Sequence, residues 1–595
     1  MPLFYTRYMQ VSDILKPKSK TEITLVLNDY LKEFEETHLP NGFQWRKGQK
    51  ETVIDVIHAY LQKKYKVVMI DAPTGAGKSL TALACSYILN KMNKTGYILT
   101  SEISLQKQYE EDIQRFKLPF GVVSGVDHYQ CIDNDEKYSL GTCKTRNKDP
   151  HKMSCYNECP YLSARNFAAR SDTAVLNYNY WLIMQNMADR TDRSGSIFSK
   201  RNYTFCDEGH KILDIVQNHY SPRFTDKTTE KLKKITHFFN LHNVNEHKEN
   251  VEIIDKCIKG LYKIENQDSL FLLLKGVRDN LKAFFKSIKV LKERVAVDYP
   301  VRNPPKEWRE SLYIADWIKD FHCKVEDYCD IIEKTSTRNI VKNPSEDELV
   351  FNCLQESYMM HRYFHQFTEF MVLMSATFSD PKEYMRSINI KNVKYIKTEN
   401  LFNFEKSPIY YYPNKRMSYK FINENREWLY SKINEILDKH KGESGIIHSA
   451  SYDLAGKIRD NLTPENTKRV FLYNGTEDKI NALNMMKLDP GKVIMGPSLR
   501  SGIDMRDSFA RFAIITKIPY PDLSNKFTKV KMELNPRWYK WQTCIEVIQS
   551  IGRTVRHDED WCITYILDAC FGDLINSNRN SFPPEFLRRI VIVQE

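Results

Sequence analysis

The sequence predicts an α/β protein of two domains, the first carrying two insertions. Three observations predict it. A glycine-rich loop at 72–79 joins an apolar run to a helical pattern, an acidic box at 207–210 closes a second apolar run, and four cysteines fall between the two. At 595 residues the chain is too long for one core, so several domains are expected.

The elements follow in order. Residues 1–20 alternate polar and aromatic types and lack the apolar stretch of a secretory signal. No apolar run reaches the roughly 18 residues that cross a bilayer. An intracellular protein with no membrane partner is expected, cytoplasmic, or nuclear in a eukaryote. Arg46 and Gln49 precede an amphipathic run (Val53, Ile54, Val56, Ile57, Tyr60, Leu61) and are candidates to read an adenine. Two surface residues at a helix start is the plainer alternative.

Residues 67–70 (Val-Val-Met-Ile) form an apolar run of buried-strand type. Asp71 and the loop Ala72, Pro73, Thr74, Gly75, Ala76, Gly77, Lys78, Ser79 come next, then a helical pattern through Leu80, Leu83, Ala84 and Ile88. Strand, loop and helix fit a phosphate-binding loop, with Ala72 at the usual first glycine position. Thr74, Gly75, Ala76 and Gly77 would bring backbone N–H groups to phosphate oxygens, and the helix N-terminus adds a favourable dipole. Lys78 would neutralise the outer phosphates of ATP, and the Ser79 hydroxyl would ligate Mg2+.

Cys131, Cys143, Cys155 and Cys159 are separated by eleven, eleven and three residues. Four thiolates in a polar window can hold either zinc or an iron–sulfur cluster, and His151 could replace one of them. Spacing alone favours zinc. Metal ligation would supply folding energy that a segment poor in apolar residues lacks. Thirteen cysteines, an odd number, read as thiols or ligands rather than disulfides in a reducing compartment. The segment also mixes Tyr129, Tyr138, Tyr156 and Tyr161 with Lys137, Lys144, Arg146, Lys148 and Arg165. Aromatic faces stack on bases while cations track phosphates, although any one tyrosine is more often packing.

Residues 203–206 (Tyr-Thr-Phe-Cys) run into Asp207, Glu208, Gly209 and His210. Asp207 would hold the Mg2+, Glu208 would polarise the attacking water, and His210 would couple the nucleotide to the next motif. More than 150 residues then precede Ser375, Ala376 and Thr377, too many for a loop. Leu270, Leu274, Val277, Leu281, Phe284, Ile288 and Leu291 alternate at four and three, a helix-packing stripe.

In the second half, residues 445–450 and 493–498 each read as a strand entering a polar loop, the latter continuing through Gly502 and Asp504 as candidate nucleotide contacts. Gln549, Arg553 and Arg556 share one helix face. Two guanidinium groups there could reach the γ-phosphate from the other domain. The formal charge of +12 suits a polyanionic partner.

This ordered set resembles superfamily 2 helicases, and within them the XPD/DinG family of iron–sulfur DNA helicases. The closest correspondence is a C-P-Y-x-x-A-R run at 159–165, followed by N-Y-x-Y at 177–180. The box has Gly209 where the family has Ala. The resemblance implies two RecA-like motor domains, an iron–sulfur insertion and a helical arch insertion in the first. It assigns 1–117 with 176–217 and 366–400 to motor domain 1, 118–175 to the iron–sulfur domain, 218–365 to the arch and 401–595 to motor domain 2. It implies a 4Fe–4S cluster on Cys131, Cys143, Cys155 and Cys159, and 5′→3′ movement of a monomeric motor on single-stranded and forked DNA. Thr100, Ser101, Gln106 and Gln108 fit the segment that grips the DNA backbone. An RNA-directed or non-unwinding translocase is the alternative enzyme. A silent DNA-binding scaffold is disfavoured by the retention of Lys78, Asp207, Glu208, Arg553 and Arg556.

Overall fold

The computed structural model describes residues 20–73, 75–145, 153–190, 197–244, 248–298, 306–345, 347–376, 378–398, 404–473, 476–489, 491–497, 507–552 and 560–594. Thr74, His151, Thr377, Gly502, Asp504, Arg553 and Arg556 lie outside them, as do Arg146 and Lys148.

The apolar runs become strands buried on both faces, as parallel sheets require. In the first sheet the strands lie side by side in the order Val393–Lys397, Val67–Asp71, Thr368–Ser375, Arg201–Asp207, Gly96–Thr100, Thr173–Asn177 and Gly121–Val123, all parallel. Thr368–Ser375 is the element that matters most for function. It returns from the long insertion and enters between the strand of the phosphate loop and the strand of the acidic box. Asp71 is thereby in register with Ser375, and Asp207 with Met374.

The second sheet is also parallel, in the order Val470–Leu472, Val493–Gly496, Gly445–His448, Phe512–Ile515, Ile563–Ile566, Ile409–Tyr411 and Ile590–Ile592. Two α/β lobes of RecA-like type result.

The cysteine segment leaves the first sheet after its edge strand Gly121–Val123 and returns through helix Pro160–Arg170 into Thr173–Asn177. The residues expected to form a separate unit at 118–175 therefore also supply sheet strands. Gly121 permits the close approach, because a Cβ there would stand 2.3 Å from the Ala168 Cα.

The second insertion is helical. Its stripe from Leu270 to Leu291 is buried on helix Gln267–Asp298, which packs between Lys248–Lys263 and Lys306–Lys334. A small antiparallel sheet (Arg223–Thr225, Glu348–Cys353, Ile340–Pro344) closes its base. Among the described residues no helix is long and apolar enough to cross a membrane.

The lobes touch at several points. Trp541 Nε1 donates to the Phe378 carbonyl at 2.7 Å, and Ser379 Oγ to the Ser581 carbonyl at 2.8 Å. Helix Lys526–Leu534 of the second lobe rests on strand Ile340–Pro344 of the insertion.

Candidate nucleotide-binding site

The loop after Val67–Asp71 turns on Gly75 (φ 85°) and Gly77 (φ 79°), a left-handed region that side chains disfavour. A Cβ on Gly77 would also stand 2.4 Å from Gln49 Nε2. Helix Lys78–Lys91 starts directly behind, so the N-terminal end of its dipole faces the loop. Lys78 Nζ donates to the Ala72 carbonyl at 3.2 Å.

Gln49 and Arg46, expected to read a base, are placed differently from each other. Arg46 is exposed, whereas Gln49 is buried and donates to the Gly77 carbonyl at 2.9 Å. Its Oε1 accepts from the Arg46 backbone N–H at 3.2 Å. Gln49 thus braces the phosphate loop from beneath.

At the end of Arg201–Asp207, Asp207 is buried and its carboxylate is held at both oxygens. Oδ1 accepts from the Glu208 N–H at 2.9 Å, and Oδ2 from the Tyr109 hydroxyl at 3.1 Å. Burial, then the Glu208 charge, raise its pKa, while Lys78 opposes the rise. Burial and the Asp207 charge hold the Tyr109 phenol well above its ordinary value, so Tyr109 is the donor. Tyr178 adds a hydrogen bond to the Asp207 carbonyl at 2.9 Å. Glu208 adopts a left-handed backbone (φ 52°, ψ 45°), a strained state that costs on the order of 1 kcal/mol or more and persists where surroundings fix it.

His210 is the crossing point. Its Nδ1 lies 2.8 Å from Ser375 Oγ and 3.3 Å from Glu208 Oε2. Its Nε2 lies 2.7 Å from the Gln549 side-chain nitrogen, on the second lobe's helix Pro536–Ile551. An amide nitrogen only donates, so Nε2 accepts and the ring proton sits on Nδ1, aimed at Ser375 and Glu208. The box, the Ser375 strand and the second lobe therefore share one imidazole. Gly502, Asp504, Arg553 and Arg556 lie outside the described residues, and Gln549 is the described member of its helical face.

Cys131, Cys143, Cys155 and Cys159 are not joined in disulfides and line one cavity with Tyr138, Met153 and Leu162. Cys159 caps helix Pro160–Arg170, with Pro160 at its first turn. A Cβ on Gly141 would stand 3.1 Å from Cys131 Sγ, so glycine lets that turn close on the thiol. Among the described residues no group of three or more His, Cys, Asp or Glu side chains is gathered as a single-ion site. Tyr138 and Tyr161 are buried against each other, with ring centroids 4.3 Å apart. They are packing residues and not stacking platforms. Thr100 and Gln106 are likewise buried. Gln106 Nε2 donates to the Val123 carbonyl at 2.8 Å, so the expected DNA-gripping role is corrected for these two. Gln108 remains exposed.

Sequence reasoning passed over Tyr109 and Arg201. Each is an ordinary residue by pattern, and only the folded arrangement brings it to the box or to the sheet. Tyr178 figures there only as part of the N-Y-x-Y run, without a contact to the box.

Two family models match the chain: the "Helicase C-terminal domain" over residues 433–586 and "Type III restriction enzyme, res subunit" over 42–241. A curated relative from Saccharomyces cerevisiae, ATP-dependent DNA helicase CHL1, is 20% identical over 475 residues, covering 69% of this chain and 54% of the relative. The protein of the same name from Candida albicans is 30% identical over 96 residues, 13% of this chain and 11% of the relative. The chain thus spans about half, or less, of the length of the curated relatives it matches. Among solved structures, S. tokodaii Xpd4 matches with TM-score 0.58 at 15% identity, covering 92% of this chain and all of that one. An XPD helicase structure matches with TM-score 0.61 at 16% identity, again covering 92% of this chain and 100% of that one. These likenesses show the fold. Two RecA-like lobes carrying these motifs are the fold these comparisons share, and the two domain matches agree with the resemblance to XPD/DinG helicases.

Proposed function

We propose that the protein is an ATP-dependent DNA helicase that translocates 5′→3′ on single-stranded DNA and unwinds forked duplex in repair, replication or recombination. The observation that carries this reading is the shared His210, which links the acidic box to Ser375 and, across the cleft, to Gln549. A nucleotide-dependent change at the box would thereby reach the second lobe.

In this reading Lys78 neutralises the outer phosphates of ATP. Ser79 and Asp207 hold Mg2+, which offsets charge on the transferring phosphoryl group. A buried carboxylate braced at both oxygens beside the phosphate-loop lysine is a candidate magnesium ligand. Glu208 polarises the attacking water. Arg553 and Arg556, four and seven residues after Gln549 in the sequence, would complete the site as arginine fingers. Gly502 and Asp504 are proposed as further nucleotide contacts. Arg46 is retained as a base contact, and Gln49 acts through the loop it braces.

The four thiols of Cys131, Cys143, Cys155 and Cys159 lining one cavity support a 4Fe–4S cluster as the group they would hold. Bound there, the cluster would supply rigidity and folding energy. The domain division given by the resemblance is kept, with an intracellular location, and the cysteine unit is narrowed to the residues between the strands at 121–123 and 173–177. The printed names of the curated relatives, DNA helicases, support DNA as substrate.

The test is strand displacement on forked DNA bearing only a 5′ or only a 3′ tail. Unwinding of the 5′-tailed fork, abolished by Lys78→Ala, is expected. Unwinding confined to the 3′-tailed fork overturns the polarity, and full ATP turnover by Lys78→Ala overturns the site.

A further inference from the structure

We propose that Tyr109 is a positioning residue for the divalent metal, fixing the orientation of the Asp207 carboxylate. The inference rests on the reading of the nucleotide site given above. Tyr109 lies on helix Ile103–Arg115, outside both nucleotide motifs, and is fully buried. Its hydroxyl donates to Asp207 Oδ2 at 3.1 Å. Asp207 ends a strand two places from that of the phosphate loop in the sheet.

The geometry suits metal binding in detail. With Oδ1 held by the Glu208 N–H and Oδ2 by Tyr109, the carboxylate plane is fixed at both ends. Each oxygen still has a lone pair that neither donor uses. Magnesium demands near-ideal octahedral geometry, and a carboxylate free to rotate would meet that demand poorly. Outer partners that orient metal ligands typically change metal affinity or activity by about 10–100-fold when removed.

Tyr109→Phe isolates the hydroxyl, since the ring that fills the core is kept. The measurement is the affinity for a fluorescent ADP in EDTA and in Mg2+, with Mn2+ titration followed by electron paramagnetic resonance as a second readout. The expected result is unchanged affinity in EDTA, a metal-dependent gain reduced by about 10-fold or more, and a matching rise in the Mn2+ dissociation constant. An equal metal-dependent gain in Tyr109→Phe and wild type overturns the inference. So does an equal loss with and without metal, which is what general damage to the core would give. Failure of the nucleotide reading is distinguishable, because the wild-type protein itself would then bind no nucleotide, and the inference would fall with it.

Discussion

Glu208 sits in a left-handed backbone conformation beside a buried Asp207 and within 3.3 Å of His210. Such strain is held where neighbours fix it, and here the neighbours are the Ser375 strand and the Tyr109 helix. Glu208→Gln keeps size and hydrogen bonding but removes the base. It is expected to slow steady-state ATP hydrolysis by about 10²-fold or more while nucleotide still binds. Hydrolysis within a fewfold of wild type would assign the base elsewhere. At this scale the motifs told which residues gather but not which way each points. Gln49 and Gln106 read as exposed readers of base and phosphate. Both turn inward, because a buried carbonyl, of Gly77 in one case and Val123 in the other, needs a donor. Tyr109 gave no signal at all, since an aromatic on the apolar face of a helix looks the same with or without a carboxylate above it.

Among the elements, strand Arg201–Asp207 joins the two special segments of the first lobe. Its far end carries the acidic box. Its near end carries Arg201, a buried guanidinium that donates to the carbonyls of Gly96, Asp172, Ala168 and Ala169 and stacks over Tyr97. Ala168 and Ala169 lie in the last turns of the helix that Cys159 caps, so the strand is tied to the cysteine segment. Arg201→Ala is expected to cost about 3 kcal/mol by leaving buried carbonyls unpaired; chemical denaturation checks it, and a change below a few tenths would refute the tie. Protein purified without oxygen is expected to be brown, and Cys155→Ser colourless and unable to unwind while still hydrolysing ATP. A colourless wild type with one zinc per chain would remove the cluster. The strands Val67–Asp71, Arg201–Asp207, Thr368–Ser375, Gly445–His448 and Val493–Gly496 and the Leu270–Leu291 stripe were legible, because hydrophobic period survives in one dimension. The sheet-edge strand Gly121–Val123 was not, since three residues carry too little pattern to separate them from the segment that follows.

On the scale of the whole molecule, the helical insertion is more than an appendage of the first lobe. Lys531 of the second lobe pairs with Glu356 and lies 3.9 Å from the Trp538 ring centroid. Lys526 and Lys342 share Glu265, at 3.0 and 3.1 Å. Both side chains of the Lys531–Glu356 pair are largely buried, so removing one partner strands the other. Lys531→Met is expected to weaken the lobe contact by about 3 kcal/mol, and Lys531→Met with Glu356→Met to recover most of it. A double-mutant cycle on thermal unfolding measures this, and additive losses would deny the coupling. Nothing in the sequence announced these contacts, which join residues far apart in the chain by charge alone.

The two lobes are proposed to communicate through His210. DNA-stimulated ATP hydrolysis by Gln549→Ala, measured beside its affinity for Mg·ATP, tests this coupling. Nucleotide affinity within about threefold of wild type and stimulated turnover lower by about 10-fold are expected, the loss of one hydrogen bond worth roughly 1.4 kcal/mol. Undiminished stimulation by DNA in that variant would contradict it.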